Sequence, residues 1–260
     1  MDIHSALVEF KAHPRVSGIF SDLDGTLSAI ARTPESASVT AEVREALTML
    51  KERYKVVGIV SGRASDDAQR MVGLDDLLYI GSHGLEWIEE GRRYYAPQVK
   101  QYLGMAPSLY NELSDYFTRT DIRVEKKNLG AALHYRLAAD KDAALALIEP
   151  VVEKMLAEYP MKVVRGRFVV ELKPDIPLNK GDAIVAICQR DGLAKALYIG
   201  DDITDIDAFR ALRKLDETEN FKAVSVAVAS TEAGAEVAEA ADFSLAGVDE
   251  VEALLRWLAE

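Results

Sequence analysis

The chain has 260 residues, a formal net charge of −12, 49% hydrophobic residues and 28% charged residues, a composition typical of an ordinary globular protein. The acidic balance argues against a nucleic-acid or anionic-membrane partner, because both need a basic protein surface. A local cluster of cations can still bind a small anionic substrate. The one cysteine, Cys188, cannot form an internal disulfide, and no apolar run reaches membrane-spanning length. We therefore expect a cytoplasmic protein, and the sequence is compatible with a monomer.

The first hundred residues alternate between strand and helix patterns. The predicted elements are strands at 16–20, 56–60 and 77–80 and helices at 40–52 and 64–71. Polar residues follow each strand, namely Asp22 with Asp24, Ser61 with Arg63, and Ser82 with His83 and Gly84. This alternation predicts a parallel sheet in a doubly wound α/β fold.

The middle of the chain has a different pattern. Its predicted elements are a helix at 103–119, strands at 122–125 and 132–136, a helix at 140–158, and a hairpin of 162–164 and 167–172 that turns at 165–166. This order indicates an α+β unit inserted into the α/β core. The predicted domains are 1–102 and 177–260 for the core and 103–176 for the insert.

The last third returns to the α/β pattern. The predicted elements are a helix at 180–190, a strand at 196–199, a helix from 204, strands at 223–229 and 242–245, and a closing helix. The strand at 196–199 leads directly into Asp201 and Asp202. Ligands of such sheets bind at the carboxyl ends of the strands, so the polar clusters at these ends predict one shared site.

Asp22 and Asp24 stand one residue apart after an apolar run, and Gly25-Thr26 closes the segment. Carboxylates at that spacing leave a strand on the same side, and they repel each other unless a cation or a proton lies between them. A carboxylate can attack phosphorus and form an acyl phosphate. Asp22 is thus predicted as the nucleophile of a magnesium-dependent site. Asp24 is predicted to protonate the leaving oxygen and then to activate water.

Further acids and cations are candidates for the same site. Asp201, Asp202 and Asp205 follow a predicted strand, and carboxylate oxygens suit Mg²⁺. We predict a metal role for Asp201, whereas Asp202 and Asp205 fit a direct, water-mediated or supporting metal role, or the N-cap of the next helix. Ser61 stands between a predicted strand and the helix at 64–71, and Lys180 begins the helix at 180–190, so both are candidates for binding a phosphoryl group.

These motifs resemble those of the haloacid dehalogenase (HAD) superfamily of phosphatases. The ordered set is Asp22-x-Asp24-Gly-Thr, Ser61, Lys180 and Gly200-Asp201-Asp202-x-x-Asp205. Additional motifs resemble the trehalose-6-phosphate phosphatase family, namely Ser61-Gly62-Arg63, His83-Gly84, Glu125-Lys126-Lys127, His134-Tyr135-Arg136, Gly166-Arg167, Glu171-Leu172-Lys173-Pro174 and Asn179-Lys180-Gly181. Two positions depart from the family pattern. Ser82 stands where the family often has Glu, and Ile206 stands where an acid is usual.

The resemblance implies a Rossmann-like HAD core with a parallel sheet plus an inserted α+β cap domain. It also implies Mg²⁺-dependent hydrolysis of trehalose 6-phosphate, with Mg²⁺ held by Asp22, the Asp24 main-chain carbonyl and Asp201. The implied substrate-binding residues are Arg63, His83, Gly84, Glu125, Lys127, Arg136, Arg167 and Glu171. Glu together with Lys or Arg offers the acceptors and donors that sugar hydroxyls need.

Alternative functions remain open on the same residues. The nearest one keeps the chemistry and changes the sugar phosphate, for example to a sucrose- or mannosyl-phosphoglycerate-type substrate. Another is a non-catalytic sugar-phosphate-binding protein, against which the Asp22/Asp24 pair argues, because a binding module needs no acid beside a nucleophile. A phosphotransferase or mutase is a third alternative.

Overall fold

The computed structural model describes residues 2–30, 37–166, 168–218, 220–230 and 234–260. Its strands are β1 Ser17–Ser21, β2 Val56–Val60, β3 Leu78–Gly81, β4 Glu86–Glu89, β5 Arg92–Tyr95, β6 Arg123–Lys127, β7 Gly130–His134, β8 Met161–Gly166, β9 Val169–Pro174, β10 Lys195–Gly200, β11 Lys222–Val228 and β12 Phe243–Leu245. Its helices are α1 Ile3–Ala12, α2 Ala41–Arg53, α3 Ser65–Val72, α4 Lys100–Phe117, α5 Lys141–Glu158, α6 Lys180–Arg190, α7 Ile203–Asp216, α8 Ala235–Ala240 and α9 Val248–Ala259.

The chain divides into two compact units, one comprising Met1–Tyr94 with Leu178–Glu260 and the other Tyr95–Pro177. The sheet of the first unit has the strand order β12-β11-β10-β1-β2-β3-β4-β5. Its strands from β12 through β3 pair in parallel. The predicted α/β fold is therefore confirmed.

Both faces of this sheet are covered, as a doubly wound parallel sheet requires. Successive residues of β1 point to opposite faces, and Ile19 and Phe20 accordingly belong to two different clusters of buried side chains. Side-chain caps fix several of the helix starts. Thr40 accepts from the backbone N of Val43 at the start of α2, and Asn179 forms a capping box with Asp182 at the start of α6.

The antiparallel edge of the sheet was not predicted from the sequence. β4 pairs antiparallel with β3, and β5 completes the edge. Trp87 of β4 and Tyr94 of β5 stack with their ring centroids 5.6 Å apart. Each strand has only four residues, which is too short for a clear alternation of polar and apolar positions.

The second unit contains an antiparallel sheet in the order β6-β7-β9-β8, together with α4 and α5. The helices predicted at 103–119 and 140–158 are confirmed within a few residues. The predicted turn at 165–166 is wrong, because β8 continues through Gly166 and Gly166 pairs with Val169. Glycine often marks a turn in a sequence, but Gly166 is the last residue of a strand.

Among the residues that the structure describes, no helix combines the length and the apolar character that crossing a membrane requires. Cys188 is buried in α6, and burial raises the pKa of its thiol to about 12. The thiol is therefore protonated and unreactive near neutral pH.

Candidate active site

Three of the predicted site residues lie just past the carboxyl ends of neighbouring strands. Asp22 follows β1 and donates its backbone N–H to Ile199 of β10 at 2.8 Å, and Ser61 follows β2 and donates to Ile80 of β3 at 2.9 Å. Asp201 follows β10. Because these strands are parallel neighbours, their carboxyl ends place the three side chains at one edge of the sheet.

A buried lysine joins two of the carboxylates at this edge. The Nζ of Lys180, at the first position of α6, lies 2.8 Å from Asp22 Oδ1 and 2.6 Å from Asp205 Oδ1. All three side chains are nearly inaccessible to solvent. Burial alone would lower the pKa of Lys180, but the charges of Asp22 and Asp205 outweigh it and raise that pKa. Lys180 is thus a permanent cation of the site.

An acidic group suited to a divalent cation surrounds this lysine. Carboxylate oxygens of Asp22, Asp201 and Asp205 lie within 4.8 Å of one another. Burial, followed by the nearby Asp205 charge, raises the pKa of Asp201 to about 6, and burial also raises that of Asp22. When all three carboxylates are ionised, they carry two more charges than the one ammonium balances, and the raised pKa values show that burial opposes this state without a further cation. Hard oxygen donors with that excess charge fit Mg²⁺.

Asp24 has a separate partner at the same edge. Arg63 donates its Nε to Asp24 Oδ2 at 2.6 Å and its Nη2 to Asp24 Oδ1 at 2.7 Å. This two-point contact holds the carboxylate plane in one orientation. Sequence reasoning placed Arg63 among the substrate-binding residues, and the structure brings it to the predicted acid/base.

The Gly25-Thr26 turn supports Asp201. The Thr26 hydroxyl donates to Asp201 Oδ1 at 3.1 Å. Gly25 has a φ of +85°, and a Cβ at this position would overlap the Asp201 carboxylate. The turn therefore requires glycine for its backbone conformation and for the space that Asp201 occupies. Sequence analysis recognised the motif but assigned no contact to Thr26.

Asp202 and Asp205 have their side chains engaged by the start of α7. Asp202 is the N-cap and accepts from the backbone N of Ile203 at 2.7 Å. Asp205 Oδ2 accepts from the backbone N–H groups of Asp201 and Asp202 at 3.0 and 2.9 Å. On Oδ1, Asp205 accepts from Lys180 and from the hydroxyl of Tyr198. Sequence analysis did not single out Tyr198.

His83 and Gly84 lie beside the loop that carries Ser61. The backbone N of His83 donates to the carbonyl of Ser61 at 3.1 Å, and a Cβ on Gly62 would come within 2.7 Å of the His83 ring. Both His83 and Gly84 have positive φ. The Ser61 hydroxyl accepts from the backbone N of Arg63 at 3.1 Å, which orients that hydroxyl.

A second polar cluster lies on the sheet of the second unit. Glu125 and Glu171 both stand opposite Ala132, so they share one face of this sheet with Lys127 and His134. Glu125 contacts Lys127 Nζ at 2.7 Å and His134 Nε2 at 2.6 Å.

The hydrogen bond from His134, with help from Lys127, lowers the pKa of Glu125 to about 2. The cluster therefore carries an ionised carboxylate at any pH near neutrality. Arg136 follows β7 and is exposed, and Arg167 lies outside the described residues. Of the described candidates, Arg63, His83 and Gly84 lie in the first unit, and Glu125, Lys127 and Glu171 share one face of the sheet in the second.

The architecture of the chain is that of the HAD class. A haloacid dehalogenase-like hydrolase from Bacteroides thetaiotaomicron superposes with a TM-score of 0.60 at 16% identity, over 94% of this chain and 100% of that one. A crystal structure of a trehalose-6-phosphate phosphatase related protein gives a TM-score of 0.75 at 26% identity, over 93% and 96% of the two chains.

Sequence comparison defines the family more narrowly. The family model described as trehalose-phosphatase matches residues 20–249. Probable trehalose-phosphate phosphatase D of Arabidopsis thaliana is 35% identical over 211 residues, which cover 75% of this chain and 56% of that protein. The chain therefore belongs to the trehalose-phosphatase family. It spans about half the length of the curated relatives that it matches.

Proposed function

We propose that this protein is a phosphatase that hydrolyses trehalose 6-phosphate to trehalose and phosphate. The observation that carries the proposal is the buried Lys180, which contacts both Asp22 and Asp205 at the sheet edge of a trehalose-phosphatase family member. A buried cation between carboxylates costs desolvation energy that an apolar residue would avoid. The position of Lys180 beside Asp22, at the end of a strand, is explained if the site binds and cleaves an anionic group.

The proposed reaction has two steps on Asp22. First, its carboxylate oxygen forms a bond to phosphorus while the bond from phosphorus to the sugar oxygen breaks, and Asp24 gives its proton to that oxygen. Water then bonds to phosphorus, Asp24 takes a proton from it, and the bond to Asp22 breaks to release phosphate. Asp24 ends the cycle protonated, as it began. The two Arg63 contacts fit the ionised Asp24 that takes the proton from water, and one of them opens when Asp24 carries its proton.

Lys180 and Ser61 are proposed to hold the phosphoryl group. Two of the three N–H groups of Lys180 face Asp22 and Asp205, which leaves the third for a phosphoryl oxygen. The Ser61 oxygen already accepts from the backbone N of Arg63, so its proton remains to be donated. Charge-assisted donors of this kind stabilise the charge that develops in phosphoryl transfer.

Mg²⁺ is the proposed cofactor, held by Asp22, the Asp24 main-chain carbonyl and Asp201. When bound, it supplies the positive charge that lets one anion approach another and that polarises the phosphoryl oxygen. Thr26 keeps the Asp201 carboxylate oriented for this purpose. Asp202 and Asp205 are proposed to support the metal site indirectly. Their oxygens already accept hydrogen bonds from backbone N–H groups at the start of α7, and so hold that segment in place.

The second unit is proposed as the cap that selects the sugar, and we retain 103–176 as its domain limits. Its sheet presents Glu125, Lys127 and Glu171 on one face, where carboxylates and an ammonium can bind pairs of hydroxyl groups. The contacts from Lys127 and His134 hold Glu125 in one orientation. Arg136 and Arg167 are further candidates for binding the sugar. His83 and Gly84 are candidates for binding the substrate or for shaping the loop beside Ser61.

The test is phosphate release from a panel of sugar phosphates, with and without Mg²⁺. We expect the highest kcat/KM for trehalose 6-phosphate and loss of activity on chelation. Asp22→Asn should abolish turnover and keep the fold, whereas Asp76→Asn, at an exposed position of the same unit, should change neither. A higher kcat/KM for another sugar phosphate would refute the substrate. Turnover by Asp22→Asn would refute the nucleophile.

A further inference from the structure

Tyr198 is a fully buried tyrosine of β10 that contacts the proposed site through its hydroxyl. The hydroxyl donates to Asp205 Oδ1 at 2.5 Å, and the ring packs edge-to-face against Phe209 with centroids 5.8 Å apart. Burial raises the pKa of Tyr198 well above its usual value, so the hydroxyl keeps its proton. The Tyr198 hydroxyl is therefore a permanent hydrogen-bond donor to Asp205 Oδ1.

Asp205 is saturated by four donors, and Tyr198 shares one of its oxygens with Lys180. Two backbone N–H groups occupy Oδ2 and hold the carboxylate plane. Oδ1 accepts from both the Tyr198 hydroxyl, at 2.5 Å, and the Lys180 ammonium, at 2.6 Å. The same ammonium lies 2.8 Å from Asp22 Oδ1. Lys180 is therefore divided between Asp205 and Asp22.

We propose that Tyr198 is a positioning residue that sets this division, acting on Lys180 through Asp205. A hydroxyl donating to Oδ1 disperses part of the negative charge that Lys180 meets there. Without the hydroxyl, Asp205 would attract the ammonium more strongly and draw it away from Asp22 and from the phosphoryl group. The inference rests on the proposed function, because it gives Lys180 a phosphoryl group to hold.

The substitution Tyr198→Phe tests the inference, since it removes the hydroxyl and keeps the ring that packs on Phe209. We expect kcat to fall roughly tenfold, or ~1.4 kcal/mol in the barrier, with KM for the sugar phosphate and the Mg²⁺ concentration for half-activation unchanged. Tyr79→Phe is the matched control, because Tyr79 is equally buried in the same sheet and donates to the Leu74 carbonyl at 2.6 Å. It should leave kcat unchanged.

A double-substitution experiment separates an action through Asp205 from a loss of packing. If Tyr198 acts through Asp205, its hydroxyl has no further effect on kcat once Asp205→Asn has weakened the attraction for Lys180. The effect of Tyr198→Phe should then disappear in the Asp205→Asn background. An undiminished tenfold loss in that background would overturn the inference.

A measurement that needs no turnover distinguishes failure of this inference from failure of the proposed function. In protein labelled with ¹⁵N-lysine, Tyr198→Phe should shift the ¹⁵Nζ resonance of Lys180, assigned with Lys180→Met, and Tyr79→Phe should leave it in place. An unmoved Lys180 resonance in folded Tyr198→Phe protein would overturn the inference, whatever the wild-type protein hydrolyses. If Tyr198→Phe shifts the resonance but the wild-type protein releases no phosphate, the inference is supported and the proposed function alone is refuted.

Discussion

Lys180→Met removes the one buried ammonium from the acidic group formed by Asp22, Asp201 and Asp205. Met has a similar length and no charge, so the change leaves buried carboxylates without their cation. Loss of one partner from a buried pair costs about 3–5 kcal/mol in the free energy of unfolding. In a chain of this size, that cost lowers the melting temperature by roughly 6–20 °C. We expect this loss for protein in EDTA at pH 8.

The assay is thermal unfolding followed by circular dichroism, with Lys222→Met as the matched control. Lys222 pairs with Asp216 at the surface, where an ion pair is worth about 0–1 kcal/mol. Added Mg²⁺ should recover part of the stability lost in Lys180→Met, because the cation replaces the missing positive charge. A Lys180→Met protein that unfolds no earlier than Lys222→Met in EDTA would refute the reasoning.

Three further predictions concern other contacts of the chain. Because burial raises the folded-state pKa of Asp201 from 3.8 to about 6, the metal-free protein should lose stability in urea titrations as the pH rises through that interval, and Mg²⁺ should cancel the loss. Arg63→Lys loses the two-point contact to Asp24, so kcat/KM across substituted phenyl phosphates should fall most for the poorest leaving groups. Gly130→Ala places a Cβ against the Leu172 carbonyl oxygen and should lower the melting temperature of the second unit, a cost of about 1–3 kcal/mol.

The positions of the site residues were predictable because the relevant signals are local. Asp22, Ser61 and Asp201 each follow a short apolar run, and parallel strands bring such ends to one edge. The helix that begins at Lys180 was predicted with its observed limits. Strand-to-loop order along the chain thus accounts for most of the fold of the first unit.

The pairing of the site residues was not predictable in the same way. Lys180 and Asp22 lie 158 positions apart, and Arg63 and Asp24 lie 39 positions apart. A single sequence carries no signal for such distances, so Arg63 was assigned to the substrate and not to Asp24. Tyr198 was missed because a tyrosine within an apolar strand looks like an ordinary core residue, and only its hydroxyl contact distinguishes it.

The acids that follow β10 show how neighbouring residues of one type acquire different functions. Among the described residues, Asp201 accepts from one side-chain donor, Thr26, which leaves oxygen lone pairs for a metal ion. Asp202 caps α7, and Asp205 is filled by Lys180, Tyr198 and two backbone N–H groups. The number of donors that each carboxylate already accepts therefore ranks the three as metal ligands, with Asp201 first. On this ranking, Asp201→Asn should weaken activation by Mg²⁺ more than Asp202→Asn does, and Asp205→Asn should act mainly on kcat through Lys180.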